Sequence, residues 1–227
     1  MRSPYLLVVA SGCAALIYEV VWFQVLQLVI GASAASLAVL LGTFMGGMFA
    51  GSLLLARYVS PARHPLKVFA AIEAAIGAWG ALLIVVMPLV GRLYTAVDGG
   101  GPSSILLRAL ASVVLLLPPT ILMGATLPAI SRSVEAVGLT RFALHRMPGP
   151  TDVRIARVSL FYGANILGAV IGCLCAGFYL LRSFDLASTS LAAVLLNAMV
   201  ATTALLLARQ APDVPRGGGA DRPALRC

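Results

Sequence analysis

Glu19 stands in the stretch "ALIYEVVWFQ", inside a run from Tyr5 to Ile30 that is otherwise nearly all apolar. A bare charge at the centre of a bilayer costs more than about 2.5 kcal/mol, so such a carboxyl must hold a proton, accept bonds from neutral groups, or await a cation. Tyr18 beside it and Trp22 three residues on offer aromatic faces, which attract an ammonium group. At about 1.5 Å per residue Glu19 lies roughly 21 Å along its run, near mid-bilayer. Glu73, in "FAAIEAAIGAWG", falls about 10 Å into its own run, close in depth to Asn165, and Asn197 about 16 Å in, nearer the level of Glu19. Glu19, Tyr18, Trp22, Glu73, Asn165 and Asn197 are therefore the candidate ligand- or cation-binding residues. The competing reading is a pair of protonated glutamates hydrogen-bonded to neighbouring helices.

No other constellation carries chemistry. Cys13, Cys173, Cys175 and Cys227 have the spacing of neither a disulfide framework nor a zinc site. His64 and His145 have no partner at metal-ligand spacing, and no Ser/His/Asp arrangement supports nucleophilic catalysis. The glycine runs "DGGGP" (Asp98–Pro102) and "GGGAD" (Gly217–Asp221) neither follow a strand nor open a helix, the context in which backbone amides cradle a phosphate. No catalytic residue, metal or cofactor is expected.

What must position these side chains is set by composition. Hydrophobic residues make up 60% of the chain and charged residues 11%, against about 25% charged in soluble domains, and the mean hydropathy is +0.99. A bilayer core of about 30 Å takes roughly 20 apolar residues of helix. Six windows qualify: Tyr5–Ile30, Ala34–Ala56, Leu66–Val90, Ile105–Ile130, Leu160–Leu181 and Leu186–Ala208. Runs such as "VVLLLPPTILMGATLPAI" do not alternate in the way a membrane barrel requires. The first run is longer than a signal peptide's apolar core and no small-x-small cleavage site follows it. The expected fold is all-α: a six-helix transmembrane domain over 1–208, then a disordered cytoplasmic tail over 209–227, rich in Pro, Gly and Arg.

Helices in lipid associate through small residues that let backbones approach. Gly42 and Gly46, Gly47 and Gly51 on the second helix, and Gly168 and Gly172 on the fifth, are the candidate packing stripes. Pro118, Pro119 and Pro128 each remove a backbone donor from the fourth helix, predicting either a kink satisfied by a neighbour or a break lining a cavity. The link Ser131–Ser159, with "RMPGPTD" in it, is expected to be a flexible connector.

The net charge of +8 gains meaning from its placement. With the N-terminus inside, the cytoplasmic segments hold Arg2, Arg57, Arg63, Lys67, Arg132, Arg141, Arg146, Arg154, Arg157, Arg209, Arg216, Arg222 and Arg226, and the other side only Arg92, Arg108 and Arg182. Excess Lys and Arg mark cytoplasmic loops, so both termini are expected there. These basic loops read as orientation signals facing lipid headgroups, and nucleic-acid binding is excluded. Helix 1 then enters from inside and helix 4 from outside, giving a 3+3 arrangement like half of a major-facilitator transporter.

Several segments carry a resemblance: "SGCAALIYEVVWFQVLQLVIG" (Ser11–Gly31), "LLGTFMGGMFAGS" (Leu40–Ser52), "HPLKVFAAIEAAIG" (His64–Gly77), "LLPPTILMGATLPAISR" (Leu116–Arg132) and "FYGANILGAVIGCLCAGFYLL" (Phe161–Leu181). Together they resemble the membrane domain of bacterial spermidine-synthase-like proteins, fused major-facilitator/spermidine synthases. The loop "GSLLLARYVSPARHPLK" is similar to the basic loop between helices 2 and 3 of major-facilitator proteins, with Ala56 where an acidic residue is usual.

The resemblance implies a multi-pass protein of the bacterial inner membrane whose helices bind or transport a small cation such as a polyamine. The alternative it implies is a membrane anchor for an aminopropyltransferase domain that is encoded separately or has been lost, since no pattern of that domain occurs in these 227 residues. A homodimer of such halves and a synthase-domain partner are the expected protein partners, with no enzymatic activity expected of the helices alone.

Overall fold

Backbone amides and carbonyls in hydrocarbon must be paired within their own segment, which makes helices of the long apolar runs. The computed structural model describes residues 3–30, 34–58, 64–97, 102–142 and 150–210. They form α1 (Ser3–Ile30), α2 (Ala34–Tyr58), α3 (Pro65–Val97), α4 (Pro102–Phe142), α5 (Pro150–Leu174), a π-helical segment (Cys175–Leu180), α6 (Leu181–Ser183) and α7 (Leu186–Gln210). No strand occurs among the described residues. Among the described residues six stretches are long and apolar enough to cross a membrane: Pro4–Leu28, Leu37–Leu55, Pro65–Val86, Leu110–Ser131, Val158–Ser183 and Leu186–Gln210. The protein is an all-helical, multi-pass membrane protein.

Two expectations about the polar segments change. The link expected to be flexible over Ser131–Ser159 is largely helical, because α4 runs on to Phe142 and α5 already starts at Pro150. Pro150 begins α5, and a proline at the first helical position favours a start there. Residues 143–149 lie outside the described residues, and so does the tail from 211 on, while Arg209 and Gln210 still belong to α7.

The prolines of α4 do not break it, and the helix is continuous across Pro118, Pro119 and Pro128. Pro119 has no N–H for the carbonyl of Leu115, four residues back. Trp79 of α3 supplies one instead, its Nε1 donating to Leu115 O at 3.0 Å. Thr120 Oγ1 donates to Leu116 O at 3.0 Å and Leu117 O at 2.9 Å in the same turn. Of the two outcomes expected for this helix, a neighbour satisfying the freed carbonyl is the one present.

The helices pair chiefly as α2 with α4, α1 with α5 and α3 with α7, and then as α3 with α4 and α1 with α7. Glycines make the first two pairings close. A Cβ at Gly51 would fall on the Ile121 carbonyl, one at Gly47 on the Thr120 side chain, and one at Gly124 on Met48. A Cβ at Gly168 would fall on the Val9 carbonyl, one at Gly172 on Cys13, and one at Gly12 on the Asn165 carbonyl. Gly47, Gly51, Gly168 and Gly172 thus sit in helix–helix contacts. Gly42 and Gly46 do not: both are exposed, with nothing within 4 Å of where a Cβ would stand.

Contact order along these pairs fixes direction. Higher numbers on α2 meet higher numbers on α4, and the same holds for α1 with α5, so each pair runs parallel. An even number of crossings brings Ser3 and Gln210 to one face of the bundle. Large apolar side chains such as Phe49, Val85, Leu89, Leu167 and Phe178 are exposed around its outside, where acyl chains solvate them.

Candidate functional site

The polar side chains converge where α1, α3 and α7 meet. Ser11 is eight residues into α1 and Glu73 eight residues into α3, so both lie about 12 Å from the shared end of two helices running the same way. Ser11 Oγ donates to Glu73 Oε1 at 2.5 Å. Seven residues further along each helix the register holds, for Tyr18 fills the space beside Gly80, and a Cβ there would collide with its ring. Asn197 of α7 stands over Gly77, its Cβ 3.4 Å from the position a Gly77 Cβ would take.

Burial separates the two acids. Glu73 is 1% exposed, Asn197 1% and Tyr18 0%, whereas Glu19 is half-buried. The expected approach of Tyr18 and Trp22 is present, since their rings stack at 5.3 Å with 21° between planes and both are buried. Each ring thereby spends a face on the other. Glu19 makes no hydrogen bond among the described residues.

Asn165 goes elsewhere, half-buried in the α1–α5 contact with its carbonyl and side-chain oxygen against Gly12. Asn197 stands at the level of Gly77, one turn beyond Glu73 and, by the same register, one turn short of the level of Glu19. The structure therefore brings together Ser11, Tyr18, Glu73 and Asn197, with Trp22 behind Tyr18. It leaves Glu19 and Asn165 on other faces of the bundle.

Several polar atoms in this seam are buried without a hydrogen-bond partner: Glu73 Oε2, Tyr18 Oη, Asn197 Nδ2 and, higher in α7, Thr189 Oγ1. Buried polar groups are nearly always paired, so a cluster of unpaired ones marks a place where a proton, water or ligand completes the set. Among the described residues no basic side chain acts on Glu73 or Glu19, each of which feels chiefly its own burial, joined for Glu73 by the Ser11 hydroxyl. Ser11 was not among the residues singled out from sequence. A serine in an apolar helix is common, and the only signal for it is the equal offset of Ser11 and Glu73 from their helix starts, which requires knowing where the helices begin.

No family model matches the chain, and no curated protein and no solved structure matches it either.

Proposed function

We propose that this membrane protein binds, and carries across the bilayer, a small cation of the ammonium type, such as a polyamine. The observation that carries the reading is a carboxyl inside the first span, Glu19, on which no described basic residue acts. An acid placed in hydrocarbon without a countercharge marks a pathway or an awaited ligand. Glu19, half-buried and without a hydrogen bond among the described residues, is open to an arriving cation.

The wider proposal is membership of the spermidine-synthase-like family, in the bacterial inner membrane with both termini cytoplasmic. The basic-residue distribution supports that orientation. Helix pairing supports a 3+3 arrangement, because the main pairings map onto one another when α1, α2 and α3 are exchanged with α4, α5 and α7, although α1 with α3 has no equally close α4–α7 counterpart. Under that exchange α1–α5 becomes α4–α2, and α3–α4 becomes α7–α1.

The glycine contacts follow the same exchange. Gly12 lies on the carbonyl of Asn165, and Gly168, three residues after Asn165, lies on the carbonyl of Val9, three before Gly12. Gly124 lies on Met48, and Gly51, three after Met48, lies on the carbonyl of Ile121, three before Gly124.

The test is uptake of labelled spermidine and of labelled methylammonium into proteoliposomes holding the full chain, wild type against Glu19→Gln. At least a tenfold loss is expected, and equal flux would remove Glu19 from the mechanism. A full-length chain that moves neither cation leaves the second reading, an anchor for a synthase domain. The hydrogen-bonded packing around Glu73 favours that reading, which predicts co-purification with such a partner.

A further inference from the structure

Glu73 is enclosed from every side. Facing it from α1 are Ser11, bonded to Oε1, and Tyr18, which interacts with it electrostatically. The remaining titratable groups of α1 are Tyr5, Cys13 and Glu19, and none of them acts on Glu73. The α4 span Leu110–Ser131 carries no titratable side chain, and α7 carries only Arg209 in its last turn. The groups around the carboxyl are thus two hydroxyls and an amide. A bare carboxylate among them would lie in a low-dielectric interior without a countercharge.

Space decides what neutralises it. Gly77 and Gly80 lie four and seven residues beyond Glu73, on the same face of α3, and they are where a bulky ligand would need room. That room is taken by Asn197 beside Gly77 and by the Tyr18 ring against Gly80. Phe69 and Ile76, on adjoining turns, are buried to 1% and 2% exposure. With Glu73 itself 1% exposed among these side chains, the cation that needs least room is a proton.

We propose that Glu73 is an exchangeable proton site, distinct from the cation position at Glu19. In the closed bundle the carboxyl is neutral, with its proton on Oε2, the oxygen that does not accept from Ser11. When the α1–α3–α7 seam parts and water enters, the O–H bond breaks and the proton leaves on water as hydronium. The reverse step takes a proton from hydronium, leaves water and restores the acid. This deepens the cation reading by naming a second, smaller cation for the same bundle, and it rests on that reading only for the membrane setting.

The test is infrared difference spectroscopy of the full chain in lipid nanodiscs across a pH titration and after transfer to deuterium oxide. Wild type should show the carbonyl stretch of a buried protonated acid, titrating reversibly and shifting in deuterium oxide. The band should vanish in Glu73→Gln and persist in Glu19→Gln. Should Glu73→Gln fail to fold, Ser11→Ala keeps the acid while removing the bond to its carbonyl oxygen, and must move the band to higher frequency.

A band that survives Glu73→Gln, ignores Ser11→Ala, is absent from wild type, or neither titrates nor exchanges would overturn the proposal. Cation flux is read separately in Glu19→Gln, so either reading can fail while the other stands.

Discussion

Ser11 has one hydroxyl hydrogen, and it goes to Glu73. Ser11→Ala leaves Glu73 Oε1 without a donor in a buried site, a loss of about 1–3 kcal/mol, read as a lower unfolding midpoint in detergent. Ser11→Thr keeps the hydroxyl and should retain most of that stability. At the turn before α7, Asp185 Oδ1 accepts the Ser188 N–H at 3.1 Å, and the Ser188 hydroxyl first, with this N–H beside it, holds the exposed carboxyl below its usual range. A folded-state pKa lowered in this way stabilises at neutral pH, and the contribution is lost as the carboxyl protonates in acid. Asp185→Ala should therefore speed amide exchange at Ser188 at neutral pH and leave it unchanged once the medium is acid enough to protonate Asp185. The acids themselves were legible in the sequence, because a carboxyl in a 26-residue apolar run stands out. Their ranking was not, since which face of α1 turns inward depends on α3 and α7, and periodicity is weak in a helix that is apolar all round.

Among the elements, α2 carries two interleaved glycine pairs whose difference sequence cannot show. Gly42 with Gly46 and Gly47 with Gly51 have the same spacing, but they lie on different faces of the helix, and only the second pair meets α4. Gly51→Leu should separate α2 from α4 and cost about 1–3 kcal/mol or more, because backbone lies where the side chain would go. Gly46→Ala has open space and should stabilise by about 0.5–1 kcal/mol, the helix-interior difference between these residues. Thermal unfolding of the two variants side by side checks both signs. Span positions were legible to within a few residues because they follow from run length. The helical extensions at the end of α4 and the start of α5 were not, since a polar helix outside the bilayer leaves no hydropathy signal. The π-helical segment Cys175–Leu180 was likewise missed, as nothing in "CAGFYL" departs from an ordinary apolar helix.

At the scale of the molecule, six crossings put both described ends on one face. A reporter fused after Gln210 and another before Ser3 should report the same compartment, and opposite compartments would mean an odd number of crossings. The contacts that make the bundle one body are the three spans around Glu73 and the two glycine pairings flanking them. The chain has two tryptophans, Trp22 stacked on Tyr18 and Trp79 bonded to the carbonyl that Pro119 leaves free. Replacing Trp22 with Phe would leave a single indole whose emission wavelength reports the α3–α4 joint. Any motion that draws those two helices apart would then register as a red shift in living membranes, with no label attached.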